Sequence, residues 1–370
     1  MADQQWVEIV RQRLRRHGLA GAPFSGVAEV VGWLGAIQSQ EYAVAKWSVG
    51  QRATGLTDAA VDRALAEGAI VRTHVLRPTW HFVAAADVRW LLALSAPRVH
   101  AANAYYYRRF GLDSAVCARS NDLLAAALAG GRELTRPELA AALAAGGIEA
   151  DLLRLTYLVM YAELTAVVCS GGLRGRQRTY ALFDERVPSA PPRDRDEALA
   201  DLTGRFFTSH GPATRADYQW WSGLTAVDAK RGIELAAPRL ARTEIDGEPF
   251  WSAADPPPGR PDPSPTAHLL QAYDEYIIGY SRSRCALDLA GLAAEVVTPD
   301  WTLNAVILDG QFVGGWRRKL AARRLTVQAR LFRPLTGAEP AALQAAADRY
   351  GAFLGVPAEL AVELPAAGRS

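Results

Sequence analysis

Apolar positions along this chain follow two rhythms: helical spacing, and short runs rich in β-branched and aromatic residues. Val7, Val10 and Leu14, with Ile9 beside them, predict a helix over Gln5–His17. Ser25 is placed to cap a second helix carrying Val27, Val30, Val31 and Leu34. Thr57 is placed to cap a third, with Ala60, Val61 and Leu65 inward and a stop at Gly68. Ile70–Leu76 and Thr79–Val83 then read as two strands around Arg77-Pro78.

Three helices followed by a β-hairpin is the order of a winged helix, and the order returns twice. After a helical stretch over Ala84–Phe110, helices are expected at Ser120–Ala129, Thr135–Ala145 and Leu152–Ala162. Strands Leu164–Ser170 and Gln177–Phe183 follow, joined through Gly171–Arg176. Beyond the Pro188–Pro192 linker come helices at Arg195–Ser209, Thr214–Ser222 and Thr225–Ala236. A hairpin of Leu240–Asp246 and Glu248–Ser252 turns at Asp246-Gly247. Proline-dense Asp255–Pro265 marks the clearest domain linker. After it the pattern favours strands: Glu295–Val297, Asn304–Leu308, Gln311–Trp316 after the Asp309-Gly310 turn, and Leu325–Phe332. A helix over Glu339–Leu354 completes the region. The expected fold is α+β, with three tandem winged helices and a C-terminal, mostly antiparallel, barrel-like β-unit. Residues 1–83 hold the first winged helix, 84–187 connecting helices and the second, 193–253 the third, and 266–370 the β-unit.

The 370 residues are half hydrophobic and 22% charged, which fits a globular chain with a large core and excludes a disordered one. The net charge of +2 neither demands nor forbids a nucleic-acid partner, because binding depends on where the charge lies. Three scattered cysteines without a CxxC spacing argue against a zinc site and fit reduced thiols. With no signal-like N-terminus and no apolar run of membrane-spanning length, the expectation is a soluble cytoplasmic protein without a metal or cofactor.

Winged helices commonly contact DNA, and they also serve as protein-interaction scaffolds. Arg174, Arg176, Gln177 and Arg178 cluster at one hairpin turn and can reach phosphates, or they are a solvated basic turn. Arg317 and Arg318, with Lys319, Arg323 and Arg324, form a second cluster beside Trp316, open to the same two readings. On the first hairpin, Thr73–His81 brings Arg77, Thr79 and His81 forward as DNA or active-site contacts, and pairing could bring His74 near His81. Histidines on a wing also commonly satisfy backbone groups. Tyr273-Asp274-Glu275-Tyr276 reads as extended, so its two acids face opposite ways and only one can reach a site. Tyr105–Tyr107 and Trp220-Trp221 read as core or helix-interface aromatics. No phosphate-binding glycine loop, nucleophile elbow or zinc-protease helix is present. Gln38-Ser39-Gln40 lies where the second helix ends. Two amides two residues apart share a side of an extended chain and diverge on a regular helix. Glutamine does not titrate, but it can accept a hydrogen bond from water and turn a carbonyl dipole toward positive charge. On spacing alone the simpler reading is polar residues capping a turn.

Several of these stretches together resemble a known family. They are Gly35–Tyr42 followed by Lys46-Trp47, the Thr73–His81 hairpin, Tyr273–Tyr276, and Asp309–Arg317. In order and content they are similar to the winged-helix DNA-binding-domain family of AlkZ-like DNA glycosylases, over nearly the whole chain. The resemblance implies a monofunctional glycosylase acting on N7-alkylated purines in double-stranded DNA. Its substrates would include bulky adducts and interstrand crosslinks made by a genotoxic natural product. It would work as a monomer, without an obligate protein partner. The family's two glutamines fall on Gln38 and Gln40, which become the expected catalytic pair. Arg77, Thr79, His81, Arg174, Arg176, Gln177, Arg178, Arg317 and Arg318 are the expected DNA contacts. Ser39 departs from the aliphatic residue common between the glutamines. Gln40, where related enzymes carry an acid, points toward toxin resistance rather than general repair. The alternative is a non-catalytic winged-helix transcriptional regulator.

Overall fold

In the computed structural model, residues 2–21, 24–256, 264–293 and 304–364 are described. The first stripe does form a helix, α1 (Ala2–Arg16), but α1 is not part of the first three-helix set. That set is α2 (Val27–Leu34), α3 (Tyr42–Gly50) and α4 (Asp58–Ala66), with a two-residue strand β1 (Ile37–Gln38) after α2. Sequence reading missed α3 because Ala45 through Gly50 are all buried, which erases the amphipathic alternation. Even Lys46 is buried, its Nζ held by Asp58 at 2.6 Å and Asp62 at 2.9 Å. Ser25 is not the cap of α2. Gly26 takes that position, while Ser25 binds Glu29 through its backbone N–H and hydroxyl. Thr57 caps α4 as expected, accepting from the Ala60 N–H. β2 (Ile70–Val75) and β3 (Arg77–Ala84) form the hairpin, and β1 adds to it in the order β1-β3-β2.

The same sequence of elements recurs. After α5 (Val88–Arg109) come α6 (Ser114–Leu128), β4 (Leu134–Thr135), α7 (Arg136–Ala145), α8 (Leu152–Leu164), β5 (Val168–Arg174) and β6 (Gln177–Leu182), with sheet order β4-β6-β5. One-turn α9 (Phe183–Arg186) leads on to α10 (Arg195–His210), α11 (Arg215–Ser222) and α12 (Ala226–Ala236). The hairpin β7 (Leu240–Ile245) and β8 (Glu248–Ala253) follows. Here a single bridge between Ala213 and Trp251 stands where the short strand stood in the other two units.

In the C-terminal part, β9 (Ala267–Leu270), one-turn α13 (Glu275–Ile278), β10 (Ala305–Leu308), β11 (Gln311–Ala321) and β12 (Arg324–Leu331) precede α14 (Glu339–Leu354) and β13 (Ala358–Glu363). Neither β9 nor β13 was expected. The strand expected at Glu295–Val297 lies outside the described residues. The sheet order is β13-β12-β11-β10-β9, antiparallel except for the β12–β13 pair. Among the described residues no helix is long and apolar enough to cross a membrane.

Two cores meet at β1. Ile37 belongs to a core that joins α2, α3 and α4 to the C-terminal sheet through Trp47, Trp316, Tyr350 and Phe353. Its neighbour Ala36 belongs to another, which joins β2, β3 and α5 to Phe206, Phe207, Tyr218 and Trp221 of the third unit. The first unit and the C-terminal sheet are therefore not separate hydrophobic bodies, despite the proline-dense segment between 255 and 265. The second unit has its own core around Leu124, Leu139 and Leu158.

Candidate active site

Gly35 ends α2 at φ 79°, a conformation strained for residues with a side chain, and turns the chain into β1. Gln38 then lies opposite His81 of β3, and the Ser39 N–H donates to the Trp80 carbonyl at 2.7 Å, extending the ladder by one residue. The glutamines thus sit on and just beyond a strand, not on a helix cap. Alternation along the paired strands puts Gln38, His81 and Thr73 on one face. Ser39, Trp80, His74 and Arg72 lie on the other.

Gln38 is 7% exposed and is held at both ends. Its backbone N–H donates to Glu275 Oε1 at 2.7 Å, and its Oε1 accepts from Arg77 Nη2 at 2.9 Å. Arg77 also donates to the Trp221 carbonyl, and Trp221 Nε1 donates to Glu275 Oε2 at 2.8 Å. This approach of the third unit to β3 needs Gly223, because a Cβ there would lie 2.4 Å from the Leu76 carbonyl oxygen. Gln40 is different. Its Oε1 is buried and meets no donor, and Ser39 Oγ, Thr73 Oγ1, Thr79 Oγ1 and Trp80 Nε1 are also buried without partners. Unpaired buried polar atoms are costly, and each marks a place where water or a ligand can complete the bonding.

His81 donates from Nδ1 to the Thr79 carbonyl at 2.9 Å, which leaves Nε2 as an acceptor 3.4 Å from Arg77. Burial, and then the Arg77 charge, holds its pKa well below the ordinary 6.5, so the ring is neutral. On the opposite face His74 pairs with buried Glu163 and packs against Trp80, their ring centroids 4.4 Å apart. Arg72 covers Trp80 at 4.3 Å and donates to the Ser39 carbonyl at 3.0 and 3.1 Å. Burial lowers the pKa of Arg72 to about 10. His74 and His81 are therefore not a facing pair: His81 stands across from Thr73 and His74 across from Trp80. Among the described residues no group of three or more His, Cys, Asp or Glu side chains could hold a metal ion.

The expected DNA contacts divide. Arg77 and His81 are turned inward and bonded. Thr79 is half-buried with an unpaired hydroxyl. Arg174 is exposed but tied to Glu138 at 2.8 Å. Arg176, Gln177 and Arg178 are exposed and line a groove of about 300 Å³ with Trp80, Thr135, Arg136, Pro137 and Tyr180. This brings the basic hairpin of the second unit beside the hairpin that carries Trp80 and Thr79. Arg178 also lies 5.4 Å from the Tyr42 ring, just past Gln40. Arg318 is engaged elsewhere, by the Tyr350 hydroxyl, and Arg317 is exposed on β11.

Glu275 and Trp221 were not recognised as site residues from sequence. The Tyr273–Tyr276 stretch is not a strand. Asp274 caps α13 and forms a fully buried two-armed pair with Arg52, while Glu275 reaches beneath Gln38. That contact spans 237 positions, and nothing local to either residue announces it.

A family model described as AlkZ-like DNA glycosylase matches residues 31–353. The chain belongs to that family and is an enzyme of the DNA glycosylase class. It is 24% identical over 329 residues to an interstrand DNA cross-link repair glycosylase of Streptomyces sahachiroi, covering 84% of this chain and 87% of the relative. The solved structure of the S. sahachiroi DNA glycosylase AlkZ has the same fold, with a TM-score of 0.77 at 21% identity, covering 97% of this chain and 99% of the other. Family membership disfavours the transcriptional-regulator reading.

Proposed function

We propose that this glycosylase hydrolyses the N-glycosidic bond of N7-alkylated purines in double-stranded DNA, with Gln38 and Gln40 as the catalytic pair. Its substrates would include bulky adducts and crosslinks made by a genotoxic natural product. The observation that carries the reading is the buried, donor-less Gln40 Oε1 beside Gln38. It is an acceptor of the kind that would hold a water near a developing cation. An N7-alkylated base is already positively charged. When the C1′–N9 bond breaks, the bonding pair leaves with the base and neutralises it, so no general acid is required. Water adds to C1′ of the oxocarbenium-like sugar and its proton passes to solvent. The lysine nearest in sequence, Lys46, is locked between Asp58 and Asp62, which favours hydrolysis over an imine route.

The repeated order of three helices with a hairpin, and a short strand or bridge added to the hairpin's second strand, supports reading all three units as winged helices. In the C-terminal unit, α14 contacts both edge strands, β9 through the bond from Arg349 to the Ala267 carbonyl and β13 through Gly351 against Ala358. This supports a sheet curled toward a barrel. Thr79, Arg176, Gln177 and Arg178 would grip the duplex, with the protein acting as a cytoplasmic monomer without an obligate partner. Incubation with a duplex carrying one N7-linked interstrand crosslink tests the reading. Separation of the strands on a denaturing gel supports it, and an intact crosslink at saturating enzyme contradicts it.

A further inference from the structure

We propose that Arg77 and Glu275 are positioning residues that fix the side-chain amide of Gln38 with its oxygen held inward and its NH₂ turned toward the site. The proposal rests on the reading of Gln38 as catalytic. Four bonds close a ring through three parts of the fold. The Gln38 N–H donates to Glu275 Oε1 at 2.7 Å, Trp221 Nε1 donates to Glu275 Oε2 at 2.8 Å, Arg77 Nη1 donates to the Trp221 carbonyl, and Arg77 Nη2 donates to Gln38 Oε1 at 2.9 Å. A guanidinium only donates, so the amide can meet it only with its oxygen. The Gln38 Nε2 makes no hydrogen bond among the described residues and is absent from the buried unpaired atoms, so it remains open to solvent. Gln40 likewise has its oxygen buried, but without a partner. The two glutamines therefore differ at the oxygen: Arg77 occupies that of Gln38 and leaves its NH₂ as the free donor, while that of Gln40 is an acceptor without a donor. Arg77 is spent inside the protein, and its contribution is geometry rather than a phosphate contact.

Replacing Gln38 by Glu separates the two orientations of the amide. With Arg77 gripping one carboxylate oxygen, Gln38→Glu puts a second oxygen where the NH₂ was and loses the donor. If instead the Gln38 carbonyl faced the sugar cation, the added negative charge would preserve or raise the rate. Single-turnover release of N7-methylguanine at saturating enzyme should fall roughly 100-fold in Gln38→Glu, as for loss of one preorganised donor. It should fall roughly 10- to 100-fold in Arg77→Met and about tenfold in Glu275→Gln, the scale of a small misplacement. The duplex Kd of both positioning variants should stay within about threefold of wild type, since neither side chain touches phosphate. Undiminished release by Gln38→Glu, or a weakened Kd with unchanged release in Arg77→Met, overturns the proposal. A second readout needs no turnover. The ¹⁵N side-chain amide pair of Gln38, assigned by its loss in Gln38→Glu, should shift or broaden in Arg77→Met and Glu275→Gln. A pair that stays in place refutes the ring even if wild type releases no base, an outcome that would count against the substrate reading alone.

Discussion

His81 stands across from Gln38 in the β1–β3 ladder, 1% exposed, with its Nδ1 proton given to the Thr79 carbonyl. Burial, then Arg77, keeps it neutral, and burial also holds the pKa values of His17 and His210 below 6.5. On unfolding these rings regain ordinary basicity. Between their folded pKa values and 6.5, the unfolded chain binds more protons, so stability rises with pH in that window and is lost as pH falls below about 6.5. Each ring contributes at most about 1.4 kcal/mol per pH unit. Urea unfolding at pH 7.5 and pH 5.5 should show a clear loss at the lower pH, reduced in His210→Gln. Equal midpoints would contradict this.

Asp274 and Arg52 are both completely buried and joined by bonds of 2.6 and 2.8 Å. Burial works to raise the Asp274 pKa, and the Arg52 pair outweighs it, so the net direction is down. Asp274→Ala would strand the guanidinium between the first unit and the C-terminal part, costing about 3–5 kcal/mol. Denaturant titration reads the loss, and a cost below about 1 kcal/mol, the range of exposed pairs, would mean that the pair is not sealed from solvent.

Arg176 and Arg178 project from the hairpin beside Trp80. Their double replacement by Ala should weaken binding to undamaged duplex and lower the slope of log K against log salt by about 2. Arg174→Ala should do less, because Glu138 already occupies that guanidinium. Anisotropy titrations across a salt series decide the matter, and an unchanged slope in the double variant removes this hairpin from the interface.

Lys46 gives a test of the chemistry. With its Nζ held by two aspartates, borohydride added during turnover should trap no enzyme–DNA adduct, and the abasic product strand should stay uncut. A trapped adduct would require an amine nucleophile and a different mechanism.

Sequence legibility followed exposure. The third unit was readable because its helices have one wet face and standard starts. Thr214 and Thr225 cap α11 and α12, and Asp246-Gly247 turns the hairpin. Helix α3 was not, since burial on most sides leaves no period to detect. β9 is four buried residues, too short to alternate. β13 is an Ala- and Glu-rich edge strand of weak β propensity, paired in parallel with β12. Gln38 and Gln40 drew notice from their spacing, but only the resemblance gave them a role. The Gln38 partners Arg77 and Glu275 come from positions 39 and 237 residues away, and the first of these read as a DNA contact. Such a ring exists only after three parts of the fold have docked.

The central claim is that the two glutamines carry hydrolysis of a cationic base. Its most direct test is single-turnover release of N7-methylguanine by wild type and by the Gln38→Ala, Gln40→Ala double variant, with duplex affinity measured alongside. The account predicts release by wild type and a loss of at least about 100-fold in the double variant at nearly unchanged affinity. Release by the double variant at the wild-type rate would contradict it.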